Sequence, residues 1–196
     1  MLFTTALFFA FALLLPAASA AAPPPSLRHS CGSDARVIEE KTFVHESKEI
    51  KLVTKSCPGF AGLRNVTASS GNAVEKRQIS QCSNFCLDIA CDPTDPQPVS
   101  TDCNVLTNFL IGLGETVAVP PQGVIEATSG TCFYDYANFD TIEYDVCTSG
   151  FGRSAQDAMT DCLLIAPPVG TITAAFCLPE PQEGPGNDYA IEIGHV

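Results

Sequence analysis

Residues 123–136 read GVIEATSGTCFYDY. Apolar residues alternate with polar ones on both sides of Ser129-Gly130, a pair typical of a hairpin turn. The sequence therefore predicts two antiparallel strands, over residues 123–128 and 131–136, at the centre of the fold.

A helix is predicted just before this hairpin, over residues 102–111. Ser100 or Thr101 can cap its first turn, since their side chains accept hydrogen bonds from free N–H groups. Its apolar residues recur at helical spacing and two glycines stop it. The apolar residues are Val105, Leu106, Phe109 and Leu110, and the glycines are Gly112 and Gly114.

The remaining elements are shorter. Residues 115–119 read as extended, and residues 171–177 and 189–193 read as strands. In the last of these, alternation places Tyr189, Ile191 and Ile193 on one face and Ala190 and Glu192 on the other.

A second helix is predicted within residues 147–162. Ser154 and Asp157 have the spacing of a capping box, whereas Gly150 and Gly152 favour a loop in the first part. Residues 78–196 are therefore expected to form a small α+β domain, stapled by disulfides, with two helices and four or five mostly antiparallel strands.

The ten cysteines indicate disulfides in an oxidising compartment. There is no CxxC pair and no Cys/His cluster with the spacing of zinc ligands. Cys31 and Cys57 lie before residue 78, and eight follow it: Cys82, Cys86, Cys91, Cys103, Cys132, Cys147, Cys162 and Cys177. Both counts are even, so each part can pair within itself, although bridges between the parts remain an alternative.

The first twenty residues have the pattern of a signal peptide, with an apolar run followed by Ala18-Ser19-Ala20. We expect cleavage after Ala20. The run is too short to span a bilayer.

A charge boundary divides the rest of the chain. Residues 21–77 carry nine basic and six acidic residues, a net charge of +3, whereas residues 78–196 carry sixteen acids and only Arg153, a net charge of −15. Lys76-Arg77, the dibasic signal of kexin-type proteases, lies at this boundary. Residues 21–77 are therefore expected to be a leader that is cut off, and Asn65 in Asn65-Val66-Thr67 is its glycosylation sequon.

Composition excludes several functions for residues 78–196. One arginine and no lysine exclude nucleic acid and anionic membranes as partners. No phosphate loop or dinucleotide motif is present, so no cofactor is expected. The histidine of this part, His195, is second from the end.

Paired carboxylates could hydrolyse a glycan, with a solvated acidic surface as the alternative. The candidates are Glu115, Glu126, Asp135, Glu143 and Asp145.

The layout resembles small secreted cysteine-rich proteins of mushroom-forming fungi. The matching pieces are Cys82-x3-Cys86, Asp102-Cys103, Gly130-Thr131-Cys132, Tyr144 near Cys147, and the strand at residues 189–193. More distantly, the order of elements is similar to the α/β fold of fungal necrosis-type effectors and virally encoded killer toxins. The resemblance implies a similar fold and a secreted protein, and it assigns no catalytic residue.

We therefore expect a secreted, non-enzymatic protein of effector or extracellular-matrix type that binds an extracellular protein or glycan. A carbohydrate-active hydrolase and an antimicrobial or killer-type protein are the alternatives.

Processing at the dibasic pair can be measured directly. The intact mass of the secreted protein should correspond to an N-terminus at Gln78, free or cyclised, accompanied by a separate leader peptide. A mature protein that runs unbroken from Ala21 would contradict the prediction.

Overall fold

The computed structural model describes residues 26–62, 79–82, 86, 88–92, 96–164, 174–178 and 188–196. The predicted cleavage sites at Ala20 and Lys76-Arg77 and the predicted glycosylation site at Asn65 lie outside these residues.

Seven antiparallel strands form the main sheet. They are β1 Arg36–His45, β2 Lys48–Ser56, β4 Asp88–Asp92, β6 Gly123–Ser129, β7 Cys132–Asn138, β9 Ala174–Leu178 and β10 Tyr189–His195. Their order across the sheet is β1-β2-β6-β7-β10-β9-β4. The central strands β6, β7 and β10 are thus flanked on one side by a hairpin from the N-terminal part of the chain.

A smaller sheet and the helices complete the fold. The strands β3 Ile79–Gln81, β8 Tyr144–Cys147 and β5 Thr116–Val119 form the second sheet, in which β3 is parallel to β8. The helices are α1 Leu27–Ser30, α2 Ser100–Leu113 and α3 Thr148–Met159. A 3₁₀ turn spans Pro58–Gly62, and a π-helical turn spans Thr160–Leu164.

The main core contains buried residues of the large sheet, α2 and α3. Tyr134 and Tyr136 point into it from β7 and are fully buried, as are Leu106 of α2 and Phe151 of α3. The Tyr136 ring stacks on Tyr189 with centroids 5.2 Å apart. This is the larger of the two apolar clusters, and its buried aromatic rings contribute much of its apolar area.

The second apolar cluster contains residues of the N-terminal segment, residues 26–62. Leu27 and Phe60 are buried in it against residues of the sheet, and the Phe60 and Phe139 ring centroids lie 5.0 Å apart. Both faces of the central strands are therefore covered.

The predicted fold class is confirmed: the protein is α+β, with an antiparallel sheet, two long helices and five disulfides. The 123–136 hairpin, the segment at 115–119 and both late strands are present. The faces predicted for the final strand are also correct, since Ile191 and Ile193 lie in the main core and Ala190 in the second cluster.

The two helices differ from prediction at their starts. No side chain caps α2, because Ser100 and Thr101 lie inside it. Its N-cap is Val99, whose N–H donates to Thr131 Oγ1 at 2.9 Å. The helix also runs through Gly112 and ends at Gly114, which has a left-handed φ of 61°.

The prediction of a loop around Gly150 and Gly152 is wrong, because α3 already begins at Thr148. Both glycines allow close packing. A Cβ on Gly150 would lie 2.8 Å from the Cys82 carbonyl oxygen, and one on Gly152 would lie 3.0 Å from Cβ of Leu110 in α2. Since glycine has no side chain, α3 approaches α2 and Cys82 more closely than other residues would permit.

Five disulfides use all ten cysteines, and none crosses between the two parts of the chain. Cys31 pairs with Cys57 in the N-terminal segment. The other four bridges are Cys82–Cys147, Cys86–Cys177, Cys91–Cys162 and Cys103–Cys132.

The strand β1 forms one edge of the large sheet. Among the described residues its only strand partner is β2. Val37, Ile38 and Val44 are strongly exposed on it, and a β-bulge interrupts its pairing between Val37 and Glu39.

A buried carboxylate joins the β1–β2 hairpin to α2 and the β6–β7 turn. Asp102 pairs with Lys48 and accepts hydrogen bonds from the N–H and hydroxyl of Thr131, both at 2.8 Å. Hydrogen bonding to Lys48 is the main cause that lowers the pKa of Asp102, and its burial opposes this. Gly130, with a φ of 57°, lies directly against this carboxylate.

Replacing Gly130 should therefore destabilise the protein. Gly130→Ala places a methyl group in the space of the Asp102 carboxylate and forces alanine into a left-handed conformation, which should cost about 2–3 kcal/mol. Gly112→Ala is the matched control: no atom lies within 4 Å of its Cβ, and alanine is favoured in a helix by roughly 0.5–1 kcal/mol. Denaturant unfolding measures both. Equal stabilities of the two variants would contradict the role of Gly130.

Candidate functional site

Three carboxylates lie side by side on the central strands. Glu126 of β6 is directly opposite Asp135 of β7, and Asp135 is directly opposite Glu192 of β10. Residues in such register share one face of a sheet, with Cβ atoms of neighbours about 4.5–5.5 Å apart. We call these three residues the carboxylate row.

Strand alternation places the row on the face opposite to the main core. Asp135 lies between Tyr134 and Tyr136, whose rings point into that core, and Glu192 lies between Ile191 and Ile193. The same apolar alternation that buries one face thus directs the acidic side chains to the other.

Two cations of the N-terminal segment compensate the row. Arg28 of α1 lies 3.3 Å from Glu126 Oε1 through Nη2 and 3.6 Å from Asp135 Oδ2 through Nε. Lys55 of β2 donates to Glu126 Oε2 at 2.9 Å. The Arg28 guanidinium also lies over the Phe133 ring, 3.9 Å from its centroid, which holds the side chain in place.

The third carboxylate has a different partner. Glu192 is 1% exposed and its Oε2 accepts a hydrogen bond from the Leu27 backbone N–H at 2.7 Å. The first residue of α1 is thereby fixed over β10.

Two buried polar atoms of the site lack a hydrogen bond. One is Oδ1 of Asp135, a residue that is 1% exposed, and the other is Nε of Arg28. A buried group without such a bond costs free energy, and for Arg28 Nε the ion pair with Asp135 Oδ2 offsets part of that cost.

The environment changes the proton affinity of the central carboxyl. Burial raises the pKa of Asp135 well above its usual range, and the charge of Glu126 raises it further. Arg28 opposes this shift, Glu192 adds to it and Lys55 opposes it more weakly. Asp135 therefore holds its proton to a higher pH than an exposed aspartate does.

A pocket of about 330 Å³ opens beside these side chains. Asp135, Glu126, Arg28 and Lys55 supply its polar wall. Its apolar wall consists of Leu27, Cys31, Ala35 and Val124. The N-terminal segment and the central strands thus build the pocket together.

The structure brings together two of the five predicted carboxylates, Glu126 and Asp135. Asp145 lies in β8 of the smaller sheet, Glu143 precedes that strand, and Glu115 precedes β5. His195 ends β10, where its Nδ1 lies 2.8 Å from the Val196 carbonyl oxygen.

Three members of the site were not among the predicted candidates. Glu192 could have been found, since alternation already placed it on the face opposite to Ile191 and Ile193. Arg28 and Lys55 carried no signal, because nothing in the sequence pairs β2 with β6.

A metal-binding group and a membrane-spanning helix are both absent from the described part of the chain. No group of three or more His, Cys, Asp or Glu there can hold a metal ion. None of the described helices is long and apolar enough to cross a membrane.

No family model, curated protein or solved structure matches this chain.

The buried state of Asp135 predicts a pH dependence of stability. Its folded pKa is raised, so above the ordinary aspartate pKa of 3.8 the unfolded state loses a proton that the folded state keeps. The free energy of unfolding should therefore fall as pH rises above 3.8, by up to about 1.4 kcal/mol per pH unit until the folded group titrates.

Denaturant unfolding between mildly acidic and neutral pH tests this. Asp135→Asn should remove most of that slope, whereas Asp157→Asn, at an exposed position of α3, should retain it. An unchanged slope in Asp135→Asn would show that another group is responsible.

Proposed function

We propose that this protein is secreted and acts by binding, and that its pocket accepts a neutral, hydroxyl-rich ligand such as a sugar unit of an extracellular glycan. One observation carries the proposal: the pocket sets a polar wall of Arg28, Lys55, Glu126 and Asp135 against an apolar wall that includes Leu27 and Val124.

The charges of the site favour a neutral ligand. Arg28 and Lys55 already compensate the carboxylate row through Glu126, so neither an anion nor a cation meets an unbalanced charge. A hydroxyl both donates and accepts a hydrogen bond. It can therefore donate to Glu126 and accept from Arg28 or Lys55 on the polar wall of the pocket.

The size and lining also suit a single sugar ring. A volume of about 330 Å³ is near the lower end of small-molecule pockets, which span roughly 300–1,000 Å³. The side chains of Leu27 and Val124 offer apolar surface to the C–H groups of a sugar ring.

Secretion is supported by the disulfides. Five bridges in one chain are typical of an oxidising compartment. The signal-peptide pattern that ends at Ala20 is typical of proteins that enter the secretory pathway.

A second candidate, a glycan hydrolase, has one observation in its favour. Asp135 and Glu126 are cross-strand neighbours on one face of the sheet, and retaining glycosidases use two carboxyl groups that lie close together. Burial raises the pKa of Asp135, which suits the acid of such a pair. However, Asp135 is 1% exposed, and both Glu126 oxygens are held by cations, which favours binding over catalysis.

Saturation-transfer NMR with mannose and with N-acetylglucosamine, at millimolar concentration, tests the binding function. At least one sugar should bind, and Arg28→Lys should weaken binding by about tenfold because it removes the forked guanidinium donors but retains the charge. Arg36→Lys, at an exposed position of β1, is the matched control and should bind normally.

The same samples separate the two functions. Release of reducing sugar from fungal or plant walls, lost in Glu126→Gln, would replace binding with hydrolysis. No binding of either sugar and equal behaviour of the two arginine variants would refute the proposed ligand.

A further inference from the structure

The two parts of the chain are covalently joined only through the main chain between Gly62 and Ile79. Cys31–Cys57 lies wholly before this link, and the other four disulfides lie wholly after it. A single cut in the link, for example after Arg77, would therefore leave two chains without a covalent bond between them.

The contacts between the two parts are those of a folded core. The strand β2 pairs with β6 over seven consecutive residue pairs, from Ile50–Ser129 to Ser56–Gly123. Ile50 is 0% exposed and Leu52 4% exposed, and both belong to the main core. Without β2, the strand β6 would be an edge and these apolar contacts would be open to water.

The second face of the sheet depends on the same segment. Leu27 and Phe60 cover Phe139, Phe176 and Ala190 in the second apolar cluster. The Cys31–Cys57 bridge fixes α1 to the end of β2, so this cover and the strand move as one unit.

Ion pairs add to the apolar contacts. Lys48, Lys55 and Arg28 of the N-terminal segment contact Asp102, Glu126 and Asp135 of the rest of the chain. These pairs lie beside buried surface, so salt screens them less than it screens exposed charges.

We propose that residues 26–62 are a strand donor, which completes the sheet of residues 79–196 and stays bound to it after the chain is cut between them. The partner surface is the edge of β6 together with the second face of the sheet. This is β-strand addition, in which main-chain hydrogen bonds and alternate side chains hold the added strand. The product of processing at Lys76-Arg77 is then a two-chain protein rather than a free body.

The test is made on the full-length protein, cut with a kexin-type protease, or at a protease site inserted at residue 77 if the dibasic pair resists. Size-exclusion chromatography in native buffer should give one peak that contains both fragments, in low and in high salt. In guanidinium chloride without reductant the fragments should separate, since no disulfide joins them.

Three results would overturn the proposal. Separation of the fragments in native low-salt buffer would show that the segment is a dissociable leader. Separation in high salt alone would show that charge, not the shared core, holds it. Co-elution in denaturant without reductant would show a bridge between the parts.

A pair of variants in the N-terminal segment identifies the contacts responsible. Phe60→Ala removes a ring that is 1% exposed and should speed release of the cut segment by at least about tenfold. Val44→Ala, at a residue that is 80% exposed on the same segment, is the matched control and should leave release unchanged. Equal release rates would refute the role of the second apolar cluster. Sugar binding is measured on uncut protein, so this proposal and the proposed ligand fail separately.

Discussion

Three carboxylates in register on the central strands must be compensated, because charges taken out of water are costly without partners. Arg28 and Lys55 of the N-terminal segment compensate Glu126 and Asp135, and the Leu27 N–H of the same segment donates to Glu192. The position of that segment over the sheet follows from this electrostatic need as much as from its apolar residues. The pocket is a consequence, since it lies where the two parts meet.

Local sequence signals predicted the central part of the fold well. The alternation around Ser129-Gly130 was sufficient to predict the hairpin of β6 and β7. The apolar spacing was sufficient to predict α2, because both patterns depend on neighbours along the chain. The start of α3 was predicted wrongly because Gly150 and Gly152 were interpreted as flexible, whereas they serve close packing against Cys82 and Leu110. That contact lies in tertiary structure and has no local signature.

The site was predictable only in part for a related reason. Glu126 and Asp135 were two of the five candidate carboxylates, and both lie in the predicted hairpin. Their cations are far along the chain, and the charge step at Lys76-Arg77 suggested a separate leader rather than a pairing of β2 with β6. A boundary in composition thus coincided with the disulfide division but not with a boundary in the sheet.

The edge strand β1 is the part of the described structure through which copies of this protein could associate at high concentration. Beyond its pairing with β2, this ten-residue strand has no second strand partner among the described residues, and with Val37, Ile38 and Val44 exposed its outer edge is a template on which further copies could stack into fibrils. The bulge between Val37 and Glu39 twists the strand, and the charges of Glu39 and Lys41, 3.3 Å apart, interrupt its apolar run. Resistance of the protein to edge-to-edge association therefore depends in part on these few residues, far from the carboxylate row.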